Sequence, residues 1–97
     1  MEKTETYDCA ARALKAIAHP LRLQILCELN DQELAVADIV ERMASSQSNV
    51  SQHLILLKEM AVVDSRREAN KVYYRVANPQ ILGVIRTMRE AYCQHAA

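Results

Sequence analysis

Residues 45–60, SSQSNVSQHLILLKEM, divide into two halves of opposite character. At helical spacing Val50, Leu54, Leu57 and Ala61 fall on one face, while Gln47, Ser48, Asn49, Ser51, Gln52 and His53 crowd the first two turns with short hydrogen-bonding groups. Such a helix packs by its far end and presents its near end. Ser45 or Ser46 can cap the start, and roughly 14 residues at about 1.5 Å each make a rod of about 20 Å that suits the major groove of B-DNA. Gln and Asn pair bidentately with adenine, and Ser meets a base edge or a phosphate. The expectation is a DNA recognition helix. The plainer reading, an ordinary amphipathic surface helix, accounts for the same polarity, so the surrounding chain has to decide.

Upstream, Val36, Ile39, Val40 and Met43 predict a short helix ending near Ala44, only about three residues before the central one. Two short helices joined this tightly are a helix-turn-helix, although the turn carries no Gly. Downstream the periodicity turns strand-like: Val62-Val63, then residues 64–67, then Val72-Tyr73-Tyr74-Arg75-Val76. The turn EANK, residues 68–71, makes these a hairpin, with Asn70 expected in the left-handed conformation. A hairpin with Arg66, Arg67 and Lys71 at its tip reads as a wing.

The flanks are helical. Ala10, Ala13, Leu14 and Ile17 predict a helix over residues 4–18, with Glu5 and Asp8 near its positive end. Its stripe is narrow and alanine-rich, which suits close packing on another helix. His19-Pro20 breaks the run and starts a helix over residues 20–29, apolar around most of its circumference and therefore expected to be buried. Residues 30–34 read as a polar turn. Asn78-Pro79 caps a last helix over residues 79–93, with a stripe of Ile81, Val84, Ile85, Met88 and Tyr92; Gly83 reads as a place of close helix approach, and residues 94–97 as a frayed tail. The fold class is mainly α with a small β-hairpin, in the order α-α-α-α-β-β-α.

The chain has 97 residues, 51% of them hydrophobic, with one Gly, two Pro and neither Trp nor Phe, so a single domain with a core of Leu, Ile, Val, Ala and Met is expected. No apolar run approaches the roughly 20 residues that span a bilayer, and MEKTETYDC is not a signal pattern; a cytoplasmic protein without membrane contact follows. Three cysteines without CxxC spacing are read as free thiols. Twelve basic and twelve acidic residues cancel, which excludes bulk coating of nucleic acid, yet Arg66, Arg67, Lys71 and Arg75 cluster beyond the central helix. A lone glycine leaves no phosphate-cradling loop, and no nucleophile stands beside an orienting base, so an enzyme is not expected.

The lead LKAIAHPLRLQILCEL and the centre SQSNVSQHLILLKEM resemble the ArsR/SmtB family of winged-helix repressors over residues 13–93. The resemblance implies one winged helix-turn-helix domain over residues 1–97: residues 1–18 and 79–95 joining a homodimer, 35–60 the helix-turn-helix, 62–76 the wing. It implies binding to an inverted repeat in double-stranded DNA and release by an inducer. In metal-sensing members an ELCVCDL-like segment supplies thiolates; here it reads ELAVADI, with Ala35 and Ala37 at the ligand positions, and residues 79–93 hold no Asp or His for the other family site. No metal and no cofactor is expected.

Cys27 on the second helix and Cys93 closing the last, in the pairs "LC" and "YC", resemble the thiol-based HlyU/BigR/SqrR branch. That likeness implies operator affinity switched by oxidation or per/polysulfidation of a Cys27/Cys93 dithiol, with reactive sulfur species or an oxidant as inducer. Arg89, one turn before Cys93 in the sequence, is read separately as a candidate to assist the thiolate. The competing reading makes Cys27 a small core hydrophobe. Cys9 is incidental. A metal-responsive repressor with a non-standard site, and a winged helix that binds protein without an inducer, stay open as alternatives.

Overall fold

Pro20 separates two helices that share one corner. The structure, a computed structural model, describes residues 3–93. Helix α1 (Lys3–Ile17) ends where His19 takes an extended backbone, and α2 (Pro20–Leu29) begins at once, since proline has no N–H to leave unpaired in a first turn. His19 Nδ1 accepts the Leu21 N–H at 3.1 Å, capping α2, and Arg22 Nη1 donates to the Ala16 carbonyl at 2.8 Å, tying the helices together. Asn30 closes α2 with φ 51°.

The expected polar turn after α2 holds a strand at its end. Leu34–Ala35 (β1) pairs antiparallel with β3 (Lys71–Val76), matching Leu34 to Tyr74 and Ala35 to Tyr73. Helix α3 (Val36–Arg42) follows without a gap and stops short of Ala44, because Met43 is extended and buries its side chain. Helix α4 (Gln47–Glu59) comes next, then β2 (Val63–Glu68). The sheet therefore has three strands in the order β1-β3-β2, not the two of a plain hairpin. At the β2–β3 turn Ala69 takes the positive φ of 55°, and Asn70 does not.

Ile25, Leu26 and Leu29 of α2, Ile39 of α3, and Val50, Leu54 and Leu57 of α4 are fully buried and form the centre of the core with Val63. Each such side chain contributes roughly 1.5–3 kcal/mol by leaving water. Ala61, the expected fourth member of the α4 stripe, lies past the helix end with φ 62° and is exposed. Helix α2 is less enclosed than its composition implies, since Gln24 and Cys27 face solvent.

Helix α5 (Gln80–Tyr92) is started by Asn78, whose Oδ1 accepts the Gln80 N–H at 3.2 Å. Of its stripe only Ile85 is buried; Val84, Met88 and Tyr92 stay exposed. Among the described side chains of α1 only Ala16 and Ile17 are buried. A Cβ built on Gly83 meets nothing within 4 Å, so this glycine serves no close approach inside the subunit. The expected tail at residues 94–97 lies outside the described residues. No helix among the described residues is long and apolar enough to cross a membrane.

Candidate nucleic-acid interface

The amino-terminal end of α4 is built by its two serines. Ser46 Oγ accepts the Asn49 N–H at 3.2 Å, and the Asn49 side-chain amide donates to Ser45 Oγ at 2.8 Å. One serine satisfies a backbone donor that no helical turn can pair, and the other holds the Asn49 side chain. Gln47, Ser48, Asn49 and Gln52 are exposed around this end, Ser51 is half-buried, and Val50, Leu54 and Leu57 anchor the opposite face. The geometry offers an open row of amides and hydroxyls on the positive end of a helix dipole, suited to base edges and phosphates.

His53 stands apart from that row. Its ring packs on His19 with centroids 4.4 Å apart, and its Nδ1 is buried without a hydrogen-bond partner. Burial first, then the nearby His19 and Arg22, push the His53 imidazole below its ordinary pKa, so it is neutral at pH 7. Of the six polar residues expected to face DNA, His53 is therefore the one turned toward its own subunit.

The basic cluster of the wing divides between the two faces of the hairpin. Directly opposed residues share a face, and the register pairs Asp64 with Arg75, Arg66 with Tyr73 and Arg67 with Val72. Arg67 thus projects from the face whose inner part, Val63, Tyr74 and Val76, enters the core; burial raises the pKa of the Tyr74 phenol. Arg66 projects from the other face and is engaged. Its Nε and Nη2 donate to the two Glu33 oxygens at 2.8 and 2.7 Å, and its Nη1 donates to Glu68 Oε1. Its guanidinium carbon lies 4.6 Å from the Tyr73 ring centre. The Arg66 hydrogen bonds hold the Glu33 carboxyl below its ordinary pKa, and the two carboxylates raise the guanidinium's. Arg75 sits 3.6 Å from Asp64. Arg67 and Lys71 are exposed and form no ion pair among the described residues. Sequence reading missed Glu33, Glu68, Tyr73 and His19 as parts of this surface; no local pattern links Glu33 to Arg66 or His19 to His53.

Cys27 and Cys93 lie on the α2–α5 side, and Cys9 is on α1. Cys27, Cys93 and Cys9 are all exposed and free. Cys27 lines a shallow hollow with Leu23, Gln24, Glu28, Ile85 and Arg89; Cys93 lines an apolar groove of about 520 Å³ between α1 and α5. Leu23, Ile85 and Arg89 belong to the walls of both. The core-hydrophobe reading of Cys27 does not fit its exposure. Among the described residues no three His, Cys, Asp or Glu side chains gather as a metal site.

Residues 19–65 match the family model described as bacterial regulatory protein, arsR family. The transcriptional activator HlyU of Vibrio cholerae is 42% identical over 81 residues, covering 84% of this chain and 75% of the relative. The biofilm growth-associated repressor of Agrobacterium fabrum is 36% identical over 93 residues, covering 96% and 78%. The solved structure of reduced HlyU from Vibrio cholerae N16961 superposes with a TM-score of 0.81 at 38% identity, covering 93% of this chain and 95% of that one. A winged helix with a capped, polar-ended α4, at this similarity to transcription regulators, is not an enzyme but a DNA-binding regulator, and the chain belongs to the ArsR family.

Proposed function

We propose that the protein is a homodimeric repressor that reads an inverted repeat and leaves it when Cys27 and Cys93 become bonded within one subunit. Gln47, Ser48, Asn49, Ser51 and Gln52 supply groove and phosphate contacts from α4, and Arg67 and Lys71 reach the backbone or minor groove from the wing. The second copy covers the exposed apolar groove of α1 and α5, where Leu14 and Met88 are each 53% exposed and Tyr92 75%. The observation that carries the switch is that both thiols are free and open onto adjoining hollows with shared walls.

The chemistry balances with one co-reactant. A low-molecular-weight persulfide transfers its outer sulfur to one cysteine thiolate, giving a cysteine persulfide and the donor's own thiol; the other cysteine attacks the inner sulfur, forming the disulfide and releasing hydrogen sulfide. A second sulfur transferred before capture leaves a trisulfide, whose longer reach tolerates poorer Cα geometry. With peroxide the first product is a sulfenic acid plus water, and the second thiol expels another water. Either bridge fastens the end of α5 to α2, shifts the dimer contact and misplaces two α4 helices that must fall about one DNA turn apart. Coupling of this kind weakens binding by roughly 5- to 150-fold.

The test treats the protein with a persulfide donor or with peroxide, weighs the intact and trypsin-digested chain, and repeats mobility shifts on the same samples. A crosslinked Cys27–Cys93 peptide together with lost DNA binding is expected. An unlinked chain, or a Cys93→Ser variant that responds like the parent, defeats the switch and leaves the DNA-binding reading standing.

A further inference from the structure

We infer that Arg66 acts as a positioning residue for the wing, a strap that crosses the sheet to Glu33, and is not itself a DNA contact; this rests on the DNA-binding reading above. In the strand order β1-β3-β2, Arg66 sits on one outer strand and Glu33 immediately precedes the other. Between them lies Tyr73 on the middle strand, opposite both Arg66 and Ala35. The Arg66 side chain passes over the Tyr73 ring and closes a two-pronged bond with Glu33, 33 residues away. Glu68 takes the remaining edge of the guanidinium.

Two features separate a strap from a phosphate contact. The fork that would grip a phosphate, Nε with Nη2, is the fork that grips Glu33, so a DNA contact has to break two charge-assisted bonds first. The group beside Arg66 is also wrong for a phosphate, since Glu33 and Glu68 place two carboxylates against it. Arg67 has neither obstacle. The strap fixes the twist of β2 against β1, which runs directly into α3, and so sets where Arg67 and Lys71 stand relative to α4.

The sign of one substitution decides. Removing an acid near DNA ordinarily tightens binding; loosening a strap weakens it. The experiment takes a short duplex recovered by in vitro selection on the parent protein and titrates it at several salt concentrations with the parent, Glu33→Gln, Arg66→Gln, the double variant and Arg67→Gln. Each strap variant is expected to bind about three- to tenfold more weakly, two wings in a dimer compounding a pair that is partly exposed. The double variant should bind no more weakly than the single ones, and the salt slope should match the parent. Arg67→Gln should lower that slope by about one per wing.

Tighter binding by Glu33→Gln, or an Arg66→Gln slope lowered like that of Arg67→Gln, overturns the inference. Amide hydrogen exchange on the free protein tests the strap without DNA: both variants should exchange faster across β2 and β3, and unchanged exchange in both also overturns it. Faster exchange in a protein that binds no duplex would instead defeat the DNA-binding reading and leave the strap intact.

Discussion

The rings of His19 and His53 meet at 4.4 Å with their planes inclined by 43°, one at the cap of α2 and the other on α4. His19 can accept the Leu21 N–H only while its Nδ1 carries no proton, and Arg22 adds a fixed positive charge nearby. A proton arriving on His53 therefore has no acid to greet it among the groups that shift its pKa, only two basic neighbours.

The folded-state pKa of His53 lies below the ordinary 6.5, so the unfolded chain takes up the proton first. The stability that His53 contributes is therefore present above its ordinary value of 6.5 and is lost as pH falls through 6.5 toward the lower folded value. Thermal melts between pH 8 and pH 5.5 should show this fall, and His53→Gln should flatten it. A melting temperature that rises on acidification contradicts the arrangement.

Ser46 caps the helix that carries the candidate groove contacts. Ser46→Ala should cost about 1 kcal/mol by stranding the Asn49 N–H, lowering the melting temperature by roughly 4–8 °C in a domain of this size. Ser45→Ala, which frees only the Asn49 side chain, should cost less in stability. Denaturant melts of the two variants give the comparison.

The glycine and two of the alanines are placed against expectation. Gly83 sits in a helix with open space around it and no positive φ, while Ala61 and Ala69 hold φ of 62° and 55°. Gly83→Ala should stabilise by about 0.5–1 kcal/mol through helix propensity, and Ala61→Gly by about 1 kcal/mol through relief of a left-handed backbone. Equilibrium urea unfolding measures both; a loss in either case refutes the corresponding account.

Met88 is 53% exposed in the apolar groove between α1 and α5. If a second copy covers that groove, Met88→Glu buries two unpaired carboxylates per dimer. Sedimentation should then show self-association weakened at least about tenfold, with helix content by circular dichroism unchanged. A variant that associates like the parent removes the groove from the interface.

Much of this architecture is readable from spacing alone, because each helix carries its own period and each boundary its own punctuation. Pro20, Ser46 and Asn78 announce starts that hydrogen bonds then explain. What escapes reading is whatever depends on a distant partner. Leu34–Ala35 is too short to alternate and becomes a strand only because Tyr73 and Tyr74 lie beside it. Arg66 and Arg67 are adjacent letters of one basic cluster, yet the pleat sends them to opposite faces and only one finds Glu33. His53 looks like its polar neighbours until α2 brings His19 against it. For Cys27, composition alone implies enclosure within α2, and exposure depends on which side of that helix α5 leaves open.

The absence of any spacer between β1 and α3 has a mechanical result. The middle strand of the wing is stitched to a segment that continues straight into the first helix of the helix-turn-helix, so the wing and α3 are joined without a linker. In the switch proposed above, a displacement passed from α5 to one of these parts is shared by the other, so the proposed dimer would respond by tilting or spreading its two subunits against each other.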